Sequence, residues 1–118
     1  MKKIGIIGAM EVEVAALKSA MKVSRMLNKA QMEFLEGELE GCQAVVVRSG
    51  IGKVNAAVCT QILVDEFGVD GVINTGIAGS LKAEINIGDI VLSTDVLHHD
   101  MDATGFGYDL GQIPQMNV

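Results

Sequence analysis

Apolar residues in this chain gather in short runs broken by glycine-rich stretches, and the runs switch between strand-like and helix-like spacing. Ile4, Ile6 and Ile7 form a β-branched run that predicts a strand buried on both faces of a parallel sheet. From residue 10 to residue 21 the spacing turns helical, with Val14, Leu17 and Met21 on one face. Residues 24–30 read as a polar connection. Residues 31–40 then alternate Met32, Phe34, Leu35 and Leu39 with Glu33, Glu36, Glu38 and Glu40, predicting a half-exposed antiparallel or edge strand. After a tight turn at Gly41 and Cys42, the unbroken run Ala44, Val45, Val46, Val47 predicts a central strand, and a helix follows over 54–67. A third apolar strand is predicted over 69–75. Residues 86–89 turn the chain into a further strand that begins at Ile90, Val91 and Leu92 and continues to His98.

Three of these strands end in small residues: Gly8 and Ala9; Ser49, Gly50, Ile51 and Gly52; and Gly76, Ile77, Ala78, Gly79 and Ser80. Ligand crevices in open α/β sheets form beyond the carboxyl ends of strands, and glycine there admits a ligand or a neighbouring backbone. Three such turns on one edge would make a flat wall against which a planar group could lie. Each turn taken alone is also what any short connection requires. The first helix carries Glu11 and Glu13 in its opening turn, where carboxylates complement the helix dipole whatever their other role. About 200° of rotation separates the two around the helix axis, so they cannot both face a crevice. Position alone does not choose between them.

Two nucleotide motifs almost match at the second turn and fail. A phosphate-binding loop requires Ser or Thr after Lys53, where Val54 stands, and a dinucleotide fingerprint requires a third glycine where Asn55 stands. What remains is a turn that exposes backbone N–H groups at a helix start, usable by an anion or a ribose hydroxyl.

Composition narrows the class further. With 118 residues, 49% hydrophobic and 20% charged, the chain can build the core of a single globular domain. A net charge of −6 and a pI near 4.7 argue against a nucleic-acid partner. Cys42 and Cys59 form no CxxC pair and read as buried, reduced thiols of a cytoplasmic protein. The amino-terminal apolar run is too short and too interrupted for a signal peptide or a membrane span. His98, His99, Asp100 and Asp102 resemble a metal cluster in composition, but adjacent strand residues face opposite sides, so no metal is expected there. Phe106 and Tyr108 stand in a glycine-flanked loop, which suits a subunit interface or a neighbour's pocket. The pattern holds two clear helices for about five strands, leaving one face of a mostly parallel sheet short of cover.

The segments GIIGAMEVEV, SGIGKVNAA, NTGIAGSL with INIGDIV, and HHDMDATGFGY followed by GQIP resemble, in order, the 5′-methylthioadenosine/S-adenosylhomocysteine nucleosidase family of the nucleoside phosphorylase group. The resemblance implies a three-layer α/β/α sandwich around a mixed, mostly parallel sheet, of which residues 1–118 match the amino-terminal part. It implies hydrolysis of the adenine–ribose bond without cofactor or metal, by a homodimer. Glu13 matches the glutamate that activates water, whereas Glu11 matches no catalytic position. Ala9, Met10 and Ile51 match residues lining the ribose and alkylthio region, and Ala78 and Gly79 match the stretch beside adenine. Ala103, Phe106 and Pro114 match positions lent to a neighbouring subunit's pocket. Ile77 departs from the serine of many members, so no polar role is carried onto it. Family members continue past the matched region and place their general acid, an aspartate, there. On that ground the 118-residue chain alone is expected to show little activity. The alternatives are a phosphorolytic purine nucleoside transferase and a non-catalytic nucleoside-binding or assembly fragment.

Overall fold

A computed structural model describes residues 2–116. Its elements in chain order are β1 (Lys3–Gly8), α1 (Glu11–Ala20), β2 (Lys22–Lys29), β3 (Met32–Leu39), β4 (Cys42–Arg48), α2 (Lys53–Phe67) and β5 (Gly71–Asn74), followed by a short 3₁₀ turn, Thr104–Phe106. The chain divides into two compact units, one reaching to Gly79 and the other beginning at Ser80.

The first unit is a five-stranded sheet in the order β2-β3-β4-β1-β5. The pairings of β1 with β4 and β5 are parallel, and those of β3 with β2 and β4 are antiparallel, so the sheet is mixed in equal parts. One helix lies on each face, α1 and α2, while Val72 and Ile73 of β5 stay exposed, so the expected shortage of cover falls at that edge. Alternation along β1 turns Gly5 and Ile7 towards α2, where a Cβ on Gly5 would stand 2.8 Å from the Leu63 side chain. Gly8 faces α1, and a Cβ there would stand 2.7 Å from Val14. Missing side chains on β1 therefore set how closely each helix can approach. The three-layer arrangement follows from this central strand.

The main core lies on the α2 side. Ile7, Met32, Phe34, Val45 and Val47 from the sheet meet Cys59, Ile62, Leu63 and Phe67 from the helix. Phe34 stacks on Phe67 with ring centroids 5.4 Å apart, and the Arg25 guanidinium lies over the Phe67 ring, 4.9 Å from its centroid. Gly68 ends α2 in the left-handed conformation, its N–H donating to the Val64 carbonyl while the Val69 N–H reaches Leu63.

The sequence pattern and the structure part at two places. Residues 24–30 are not a connection but most of β2, an edge strand that pairs antiparallel with β3. Two features hid it. Its side chains are exposed except for a half-buried Leu27, so burial imposes no alternation. Its hairpin also turns on Ala30 and Gln31, both at positive φ (51° and 61°), rather than on the Asn-Gly pair that marks such turns. β3 consequently lies one strand in from the edge. Its other hairpin turns on Glu40 and Gly41, again both at positive φ, and Cys42 already belongs to β4.

The second departure concerns residues 90–98, which form no strand. Ile90, Val91 and Leu92 are exposed, and among the described residues the sheet has no sixth member. A β-branched run is insufficient without a partner ladder. The second unit instead holds its chain by local turns, including Asp89 N–H to the Asn86 carbonyl and Gly111 N–H to the Met101 carbonyl.

Two outcomes are expected from this packing. Phe34→Ala removes a fully buried ring and should cost about 3–5 kcal/mol in urea unfolding. Of the two thiols expected to be buried only Cys59 is, and burial pushes its pKa up to about 11; Cys42 opens β4 directly after the Glu40–Gly41 turn and is exposed. A disulfide reagent at pH 8 should titrate Cys42 rapidly and Cys59 only after unfolding. Because the folded state retains the Cys59 proton longer than the unfolded state, this thiol's contribution to stability is complete below pH 9 and falls as pH rises towards 11.

Candidate active site

Because β4, β1 and β5 run parallel and adjacent, their carboxyl ends meet on one edge of the sheet. The ladder continues one step past the strands and fixes the turns side by side. Ser49 N–H donates to the Gly8 carbonyl at 2.9 Å, and Thr75 N–H donates to the Ile7 carbonyl at 2.8 Å. The three small-residue turns anticipated from the sequence thus begin in register.

Glu13 is the half-buried carboxylate of this edge. Its N–H donates to the Met10 carbonyl at 3.1 Å, and the Met10 N–H donates back to Glu13 Oε2 at 3.0 Å. This reciprocal pair starts α1, so the carboxylate does serve as a helix cap. It is not turned to bulk solvent, however. An ideal Cβ on Gly76 would stand 2.7 Å from Oε1, and one on Gly8 would stand 3.5 Å from Oε2. Glu13 therefore reaches across the end of β1 towards the turn after β5. Glu11 goes elsewhere: it accepts from Lys18 at 3.0 Å and lies 3.8 Å from Arg48 on the α1 side. The helical rotation that left the two open in the sequence is resolved by contacts.

Around Glu13, Ala9 is half-buried and Met10 is 37% exposed at the start of α1. The second turn presents Ile51 at 74% exposure. Two side chains brace it that the sequence reading passed over. Buried Ser49 donates its hydroxyl to the Gly50 carbonyl at 2.8 Å, and Asn55 Nδ2 donates to the Ile51 carbonyl at 2.8 Å. A serine ahead of two positive-φ glycines was the available signal. In the third turn Ile77, Ala78 and Gly79 are exposed, and a Cβ on Gly79 would meet nothing within 4 Å.

Within the second unit, Phe106 is 87% exposed and Pro114 is exposed, while Ala103 is buried. The side chain of Ala103 is thus not presented outward with the other two. Its carbonyl instead accepts from the Phe106 N–H at 2.9 Å and anchors the turn that carries the ring. Thr104 donates from its N–H and its hydroxyl to Asp102, which holds that carboxyl below its usual range. His98 and His99 do not lie on a strand, so the opposed-face argument does not apply to them. Each Nδ1 lies 3.9 Å from Asp100 Oδ1, and among the described residues no group of three metal-ligating side chains comes together.

A mixed sheet between helices, with small-residue turns and one carboxylate gathered at its parallel strand ends, defines an α/β domain of the kind that places ligands beyond its strand ends. The phosphorylase superfamily model matches residues 3–117, and the chain belongs to that superfamily. It is 51% identical over 113 residues to the 5′-methylthioadenosine/S-adenosylhomocysteine nucleosidase of Pseudoalteromonas translucida, an alignment covering 96% of this chain and 48% of that protein. The nucleosidase from Colwellia psychrerythraea, solved with adenine, superposes with a TM-score of 0.92 at 51% identity, covering 96% of this chain and 47% of that one. The Neisseria meningitidis nucleosidase in complex with methylthio-immucillin-A gives 0.92 at 45% identity, covering 99% and 51%. The chain spans about half the length of these relatives.

Proposed function

We propose that this chain provides the water-activating edge of an adenine nucleoside hydrolase acting on 5′-methylthioadenosine and S-adenosylhomocysteine. The observation that carries the reading is the seat of Glu13, between Gly8 and Gly76 at the aligned strand ends. Support for the substrate class comes from the relatives, which are named for these two nucleosides and were solved with adenine and methylthio-immucillin-A.

In this reading Glu13 takes a proton from water as the oxygen attacks the anomeric carbon. The bond from that carbon to the adenine nitrogen breaks, and its electron pair leaves with the base. Positive charge builds on the sugar in the transition state, and a second acid protonates the departing adenine. Water, Glu13 and that acid balance the reaction without a cofactor. Ala9, Met10 and Ile51 would flank the ribose and its thioalkyl group, and the exposed backbone of Ala78 and Gly79 would lie beside adenine. Phe106 and Pro114 are exposed and suit contribution to a partner subunit's pocket in a homodimer, with Ala103 acting through the backbone that holds Phe106. We place the reaction in the cytoplasm, in the salvage of methionine-derived thionucleosides.

Phosphorolysis, the rival chemistry, requires a site for a phosphate dianion. A carboxylate at the attacking position repels that dianion and accepts neutral water. Arg48, a cation next to the second turn, lies 3.8 Å from Glu11 on the α1 side. Both features favour hydrolysis.

Because the chain spans about half of each relative, the test belongs in the shortest form of the protein that turns over nucleoside. In the active form, Glu13→Gln should lower kcat about 10²–10⁴-fold with nucleoside binding retained. Glu11→Gln should leave the rate nearly unchanged. Adenine release should not depend on added phosphate. Phosphate-dependent turnover would establish the transferase reading, and an unaltered rate in Glu13→Gln would remove the base assignment.

A further inference from the structure

Gly76 is the residue at this edge whose lack of a side chain is used most directly. An ideal Cβ there would stand 2.7 Å from Glu13 Oε1, 3.1 Å from Cδ and 3.4 Å from Oε2, so the whole carboxylate occupies the space a side chain would fill. Gly8, on the neighbouring strand, has a different part. Its Cβ would meet Val14 at 2.7 Å and Glu13 Cβ at 3.0 Å, the helix face and the root of the side chain, and would reach Oε2 only at an ordinary contact distance of 3.5 Å. Gly79, three residues on, has open space around it. Nor is Gly76 among the residues with positive φ, so its backbone conformation is open to an L-residue.

We propose that Gly76 is a positioning residue: the bare backbone after β5 is the seat that aims the Glu13 carboxylate across the strand ends. The proposal rests on the reading of Glu13 as the water-activating base and adds what fixes its geometry. One oxygen is held from the helix side by the Met10 N–H, and the other lies against Gly76. A methyl group at residue 76 would meet the far end of the Glu13 side chain, the part free to move, and would swing the carboxylate away from this seat. Displacing a catalytic group by about 1 Å is enough to cost on the order of 10²-fold in rate.

The test is a cycle of Gly76→Ala, Glu13→Ala and the double variant, made in the form of the protein that turns over nucleoside. Gly76→Ala should lower kcat about 10²-fold while KM for methylthioadenosine changes little. It should also lower the thermal midpoint. With Glu13→Ala in place there is no carboxylate to displace, so adding Gly76→Ala should no longer lower the midpoint and should raise it slightly, as alanine restricts the unfolded chain. A wild-type kcat in Gly76→Ala, or the same midpoint loss in both backgrounds, would overturn the proposal. Full activity in Glu13→Ala would instead overturn the base assignment and with it the catalytic consequence, while the midpoint cycle judges the contact separately.

Discussion

The geometry of this chain depends on β1 being flanked in parallel by β4 and β5. Parallel pairing brings all three carboxyl ends to one side, and the ladder bonds from Ser49 and Thr75 extend the alignment into the turns themselves. Antiparallel neighbours would have sent alternate turns to opposite edges, and no common wall could form. β1 can hold this central place because its side chains suit both faces. Its isoleucines fill space, while Gly5 and Gly8 allow α2 and α1 to approach within side-chain contact of the backbone.

The same economy of side chains recurs at the edge, with a change of purpose. Gly5 admits a leucine and Gly8 admits the first turn of α1, both of which are packing demands. At Gly76 the admitted group is a carboxylate. A half-buried carboxylate set against backbone is held partly by what donates to it and partly by what is missing around it. The Met10 N–H supplies the first constraint, and it also starts the helix. Helix capping and presentation of the carboxylate are therefore one arrangement, because the cap fixes a side chain that would otherwise rotate freely.

How legible this was in the sequence varied with burial. β4 and α2 were readable because each buries a continuous apolar run or a helical stripe: Val45, Val46 and Val47 admit no solvent, and Cys59, Ile62, Leu63 and Phe67 line one face of α2, whereas α1 was readable from its spacing although it buries Val14 alone. β2 was invisible because nothing requires its residues to alternate and its turn contains neither glycine nor asparagine. Residues 90–92 failed in the opposite way, offering strand-forming side chains with no ladder to join. At the site, glycine and alanine marked the three turns, and a helical wheel separated Glu11 from Glu13. Neither could say which of the two faced the glycines, because that depends on how α1 is rotated over the sheet. Val14 against Gly8 sets that rotation. The brace formed by Ser49 and Asn55 depends on backbone carbonyls whose directions no sequence pattern reveals.

That rotation explains why two glutamates two residues apart can have unrelated roles. With Val14 anchored in the gap above Gly8, Glu13 must project over the strand ends, and Glu11 must project towards Lys18 and the end of β4 at Arg48. The Glu11 contacts are half-exposed ion pairs, worth little to stability. Their consequence is local: they place acidic charge beside Arg48 at the end of β4, where a bare guanidinium would otherwise attract anions to the edge. A sheet edge with a carboxylate aimed across it and its neighbouring arginine partly neutralised carries little net attraction for an anion. The unlike directions of the two glutamates therefore begin with a valine, whose packing against Gly8 decides where each one points.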